Sequence, residues 1–249
     1  MTTYQTTQHT QSTWKPIKKP AEIVENRLID SILNGSFPIN SNLPAERELA
    51  KQLGVTRPTL REALQRLARD GWLEIKQGKP TRIRDYWHEG KLGVLDALSG
   101  RLEYLPENFI TNLLNTRLSM APNYTALAID QAPQEVENLL DDRYSLGDSP
   151  MAYSQFDWML QHELTILGQN TVFVMILNGF KDIFLNLAPV YFSLPAARQA
   201  SLNYYNDLAQ AANNRDSDLA RNLTEAIMKD SIAFWQRTKL SMTKEWRKR

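Results

Sequence analysis

Arg57, Thr59 and Arg61, with Thr56 immediately before them, are the side chains whose types and spacing suggest recognition chemistry. A guanidinium group forks onto phosphate oxygens or onto the O6/N7 edge of guanine. A threonine hydroxyl bonds a phosphate, and its methyl can touch a thymine methyl. On a helix, positions 57 and 61 lie one turn apart and project together. Further along, Lys76-Gln77-Gly78-Lys79-Pro80 is a basic, turn-forming string, and Arg47 sits upstream in the run PAERE. Together these groups could hold a duplex by its backbone and read a few base edges.

Such side chains need a frame, and residues 44–84 supply one. A helix is expected over Ala45–Leu53, with Glu46 and Glu48 at its positive end, Leu49 and Leu53 on one face, and Gly54 as its stop. Val55 plugs the turn. Thr56 can cap a second helix over Arg57–Asp70, and Pro58 falls in the first turn, where a missing N–H is harmless. Leu60, Ala63, Leu64 and Leu67 follow helical spacing and should face inward. Gly71 ends that helix, and strand character follows at Trp72–Ile75 and Thr81–Arg84 around the basic turn. Upstream, Pro20–Leu33 carries a stripe of Ile23, Val24, Leu28, Ile29, Ile32 and Leu33 that would complete a three-helix core. This order is a winged helix-turn-helix. A charged helix face is often only a solvated face; here the turn glycine, capping threonine, front-loaded arginines and basic hairpin occur in sequence, which selects DNA binding.

Charge distribution supports the division. The net charge is only +1, but residues 14–87 hold 14 Lys+Arg against 9 Asp+Glu, and residues 88–249 hold 15 against 19. A basic front on an acidic rear suits a nucleic-acid module joined to another kind of domain. With no cysteine there are no disulfides or thiolate metal sites, consistent with a reducing cytoplasm. No apolar run approaches the roughly 18 residues of a membrane span. Residues 1–13, MTTYQTTQHTQST, lack the features of a signal peptide and read as a disordered polar tail. Neither a P-loop, a Gly-rich dinucleotide fingerprint nor a nucleophile–base set is present, and three histidines leave little acid–base chemistry; an enzyme is not expected.

Residues 14–84 are therefore expected to form the DNA-binding domain and 85–91 a semi-rigid linker, with Tyr86 and Trp87 docking on one side. Residues 92–240 should form an all-α domain, followed by a basic tail at 241–249. Helical segments are expected near Gly93–Arg101, Glu107–Ile129, Pro133–Asp148, Met151–Leu167, Thr171–Val190, Pro195–Asn213 and Asp216–Thr238, about seven in all. The strings TVFVMILNGF, DIFLNLAPVYF and SIAFWQR suit the wall of an apolar tunnel, and suit an ordinary helical core equally well.

With this head joined to this bundle, the chain resembles the GntR superfamily of bacterial regulators, in its FadR branch. LPAERELAKQLGVTR, TLREALQRLARDGWL and GKPTRIRDYW carry the resemblance in the head. ILNGFK at 176–181, VYF at 190–192 and the spacing Ser231…Trp235 carry it in the bundle. The resemblance implies a cytoplasmic homodimer that binds a pseudo-palindromic DNA operator, as repressor or activator of fatty-acid metabolism genes, and is released by long-chain acyl-CoA. It places Arg47 on the DNA backbone, Thr56, Arg57, Thr59 and Arg61 on bases and phosphates, and Gln77, Gly78 and Lys79 in the minor groove. Pro58 and Gln77 depart from the family's threonine and histidine, a change expected to bear on operator preference. Arg117, Tyr191, Ser231 and Trp235 are implied to line the effector site; Ser231 and Trp235, four apart, share a helix face. Ile227 and Met228 stand where the family has small or aromatic residues and would alter the site's mouth. Relatives that bind a metal use an aspartate and a histidine four residues later. Here Asp157 is followed by Gln161, and His162 lies about 100° further around the helix, so no metal is expected. A different small effector, or none, is the alternative.

Overall fold

The computed structural model describes residues 19–246, with side chains to Arg237. The expected tail at residues 1–13 lies outside them. The chain divides into two compact units, Met1–Asp85 and Tyr86–Arg249.

In the first unit, α1 (Pro20–Leu33), α2 (Glu46–Leu53) and α3 (Arg57–Asp70) form a tripod, with α1 and α2 both packed on α3. Val24, Leu28, Ile29 and Ile32 of α1 meet Leu49 of α2 and Leu60, Leu64 and Leu67 of α3 in a buried core. Burial of each such side chain contributes roughly 1.5–3 kcal/mol. Ile23 does not join the expected stripe and is 52% exposed, because its neighbour Val24 takes the inward position and one residue is about 100° of rotation. Gly54 (φ +69°) and Gly71 (φ +96°) end α2 and α3 in the left-handed conformation that glycine adopts without a Cβ penalty. Ala45 caps α2 rather than belonging to it.

The ribbon is shorter than expected. Strands β1 (Leu73–Glu74) and β2 (Arg82–Ile83) pair antiparallel, Leu73 opposite Ile83 and Glu74 opposite Arg82. Pro80 offers no N–H to extend the ladder, and Ile75 turns outward. The segment before α2 compensates by bridging β2 from the other side. Leu43 N–H donates to Thr81 O and Ile83 N–H to Ser41 O, both at 2.8 Å. Trp72, fully buried, anchors the ribbon to the tripod.

The second unit is all helical among the described residues: α4 (Tyr86–Glu89), α5 (Leu92–Ser99), α6 (Phe109–Gln131), α7 (Pro133–Leu139), α8 (Pro150–Leu167), α9 (Thr171–Asn178), α10 (Lys181–Phe192), α11 (Pro195–Asn213) and α12 (Ser217–Trp246). The long helices α6 and α12 pack along one another, α8 lies against α6 and α10, and α11 against α12 and α7. Tyr124, Leu160, Leu164, Tyr205 and Leu208 fill the centre.

Two expected helices need correction here, and two further segments gain detail. The single helix over Thr171–Val190 is two, α9 and α10, bent by 68°. The break at Gly179 lets the backbone lie on Leu92, whose Cδ1 would stand 3.0 Å from any added Cβ. The helix over Pro133–Asp148 stops at Leu139 and tightens into a 3₁₀ turn, Asp141–Ser145; Arg143 donates to Leu140 O at 2.6 Å and to Asn206 Oδ1 at 2.8 Å, which ties that turn down. Within the expected linker, Tyr86–Glu89 is helical, and the Trp87 ring meets Phe109 edge-on at 6.1 Å. Finally, α12 continues through Trp246, taking in most of the expected tail; residues 247–249 are outside the described set. No single described helix is long and apolar enough to cross a membrane.

Candidate functional site

On the first unit the exposed face of α3 is prepared before any partner arrives. Thr56, in extended conformation, caps the helix: its Oγ1 accepts from the Thr59 N–H at 3.3 Å and shares a hydrogen bond with the Thr59 hydroxyl at 2.8 Å. That bond satisfies one of the orphan donors of the first turn and fixes where α3 begins. Arg57 and Arg61 emerge from the same turn, both largely exposed, and both reach Glu46 at the start of α2. Arg47 is exposed one position further along α2. Gln77, Gly78 and Lys79 are exposed at the ribbon's tip, where Gly78 has φ +72° and Lys79 N–H closes the turn on Lys76 O at 3.1 Å. Every residue expected to meet DNA is thus on the surface of this one unit. The role of Glu46 was not legible as more than a favourable charge at a helix start.

Inside the second unit, Arg117, Tyr191, Ser231 and Trp235 come from three helices, α6, α10 and α12, and all line one partly open cavity. Leu113, Leu177, Phe184 and Leu187 make its walls apolar, and Ile227 and Met228, both buried, close part of the α12 side. Tyr191 and Ser231 hydroxyls lie 3.3 Å apart, and the serine donates to Ile227 O at 2.9 Å, the back-bond a serine makes within a helix. The Arg117 guanidinium lies 5.0 Å over the Phe184 ring and 3.5 Å from Asp157.

Asp157 is the residue whose part sequence reasoning missed. Its carboxyl is pushed up by burial, an effect opposed by the Arg117 charge and by the 3.1 Å bond from Tyr205. Two other phenols in the same interior, Tyr204 (pushed up to about 12) and Tyr191, are raised chiefly by burial, so both remain neutral donors at ordinary pH. The position four after Asp157 holds Gln161, fully buried, whose amide oxygen accepts from Tyr124. At positions 157 and 161 this chain therefore has one member of an ion pair and a buried amide bonded through its oxygen. His162 stacks on Trp158 at 6.0 Å, partly buried. Among the described residues no group of three or more His, Cys, Asp or Glu could hold a metal. The missed signal was the ionic complement: Arg117 is the only charged residue between positions 109 and 129 of α6, and a buried charge demands a buried partner of opposite sign.

Residues 20–83 match the model of bacterial regulatory proteins of the gntR family, and residues 84–247 match the FadR C-terminal domain. The chain belongs to the GntR family, in its FadR branch. The proteins named fatty acid metabolism regulator protein from Shewanella pealeana and Edwardsiella ictaluri are each 39% identical to it. The first match covers 88% of this chain and 92% of the relative, the second 88% and 91%. Among solved structures, Lar, which controls expression of the Listeria monocytogenes agr system, matches with a TM-score of 0.62 at 18% identity. That match covers 90% of this chain and 99% of Lar, and it shows a shared fold. As a GntR-family regulator the protein is a DNA-binding transcription factor; in helix-turn-helix proteins generally the second helix of the motif lies in the major groove, and α3 holds that position here.

Proposed function

We propose that this regulator acts as a cytoplasmic homodimer on the genes of fatty-acid metabolism, and that long-chain acyl-CoA loosens its hold on the operator. One observation carries the effector reading: Arg117, Tyr191, Ser231 and Trp235, drawn from three helices, converge on a single apolar cavity. An acyl chain suits walls of Leu113, Leu177, Phe184 and Leu187. The Tyr191 and Ser231 hydroxyls offer hydrogen bonds to a thioester carbonyl or a pantetheine amide, and the Trp235 ring gives the polar end an aromatic wall. The names of the 39% identical relatives agree with that substrate area. Met228 and Ile227 shorten the room beside Ser231, so ligands with slender ends are preferred. No metal or catalytic step is part of this reading: the ligand acts by binding one state of the regulator more tightly than the other.

A mobility-shift titration tests it. Palmitoyl-CoA or oleoyl-CoA should release the operator, whereas free coenzyme A and short acyl-CoAs should not; indifference to acyl-CoAs of every length would discard the effector. Ser231→Asn should blunt release while leaving operator affinity intact, and a normal response would move the ligand elsewhere. Native mass spectrometry of the same sample reports the subunit count.

A further inference from the structure

Glu46 opens α2, where a carboxylate is favoured by the positive end of the helix. Its side chain, however, reaches across to α3. A single oxygen, Oε2, accepts from Arg61 Nε at 2.7 Å and lies 3.9 Å from Arg57 Nη2. The two guanidinium groups that lead the recognition helix therefore share one anion, supplied by the helix before it.

Two consequences follow from charge and geometry. Non-specific attraction to a duplex scales with the number of cations free to replace counterions on the phosphates. A carboxylate set between two arginines lowers the net charge of this patch from two to one, so random DNA gains less from it. Arginine also carries five N–H donors in a fixed fork. With Nε committed to Glu46, the terminal nitrogens of Arg61 remain to form paired bonds, the arrangement that guanine O6 and N7 accept. A base edge can then be read without breaking the bond to Glu46; a phosphate can take the same two nitrogens, but it brings a second anion beside the carboxylate, which a neutral base edge does not.

We infer that Glu46 is a positioning residue that sets operator discrimination, by holding Arg61 in a base-reading orientation and by damping the attraction of both Arg57 and Arg61 to phosphate. This rests on α3 being the helix that meets DNA. Nothing in the PAERE string requires it, since a glutamate at a helix start is equally at home facing solvent.

The experiment compares the full-length protein with Glu46→Gln and Glu46→Asp. The probes are a duplex enriched by the wild-type protein from a randomised pool and a random duplex of equal length, each over a range of salt. Glu46→Gln should bind the random duplex about three- to ten-fold more tightly at low salt. Its log–log salt slope should steepen by up to about 0.9, the share of one phosphate contact. The ratio of operator to random affinity should fall accordingly. Glu46→Asp keeps the charge on a shorter arm, so it should keep the slope and lose part of the ratio. If Glu46→Gln lowers both affinities together with the melting temperature and leaves the ratio unchanged, Glu46 only supports the fold and the inference is overturned. Unchanged ratio and slope overturn it as well, while leaving the DNA reading in place. If the wild-type protein enriches no duplex, the recognition reading itself fails and takes this inference with it.

Discussion

Arg57 and Arg61 are 58% and 62% exposed at the start of α3, whereas Arg117 is 13% exposed in the wall of the bundle cavity. All three pair with a carboxylate, Glu46 in the first case and Asp157 in the second. The exposed pairs sit in water, where such contacts contribute little to stability and can be exchanged for a phosphate or a base at small cost. The buried pair sits among Phe184, Trp158 and Tyr191, and neither member can lose its partner without leaving an uncompensated charge. On the proposed reading, the head keeps its two leading arginines separate from what holds it folded, while the bundle uses Arg117 for both.

Substitution of Arg117 is the sharpest way to break that contrast. Arg117→Met fills the apolar wall but strands Asp157, and should destabilise the protein at neutral pH by about 3–5 kcal/mol. The pH dependence has a definite sign. Asp157 already has a raised carboxyl because burial outweighs Arg117, and removing the arginine raises it further. A carboxyl raised in the folded state favours folding fully below its unfolded value, near 3.8, and loses that contribution as pH rises through the folded value. The deficit of Arg117→Met should therefore shrink as pH falls. A deficit that is constant with pH in chemical-denaturation curves would mean Asp157 is not the stranded charge.

The matching change in the head should leave stability alone. Arg57→Ala or Arg61→Ala is expected to weaken operator binding by about 1–3 kcal/mol if the side chain reads a base. The melting temperature should stay put, because both side chains are exposed. If Arg61→Ala unfolds the head, or leaves operator affinity untouched, the separation of fold and function drawn above does not hold for this unit.

The difference between the units also governs what could be read from the chain before folding. In the head, Gly54, Thr56, Pro58 and Gly71 act on their own neighbours, so turn, cap and helix ends follow from short strings, and the DNA face is laid out in order. Its misreadings are small: Ile23 faces out, and the ribbon shortens because Pro80 cannot extend it. In the bundle the segments were legible by period, but their breaks were not. Gly179 splits an apolar run because Leu92, nearly ninety positions away, presses on it, and Arg143 shortens α7 by reaching Asn206. Family resemblance could name Arg117, Tyr191, Ser231 and Trp235, yet the pairing of Arg117 with Asp157 depends on two helices packing face to face. The same holds on a smaller scale for Glu46, whose partners lie in the next helix.

The cap at Thr56 offers the finest test of the contrast, since it stands where structure and recognition meet in the head. Thr56→Ala removes the acceptor for the Thr59 N–H and should cost about 1 kcal/mol of stability, while Thr56→Ser restores the oxygen and most of that loss. A loss of this size leaves a stable head almost fully folded at room temperature, so it cannot by itself weaken DNA binding measurably. Any larger drop in operator affinity for Thr56→Ala, absent in Thr56→Ser, therefore reports a direct contact of the hydroxyl with the duplex. Equal affinities for the two variants, with the expected difference in melting temperature, would confine Thr56 to the helix start and leave recognition to Arg57, Thr59 and Arg61.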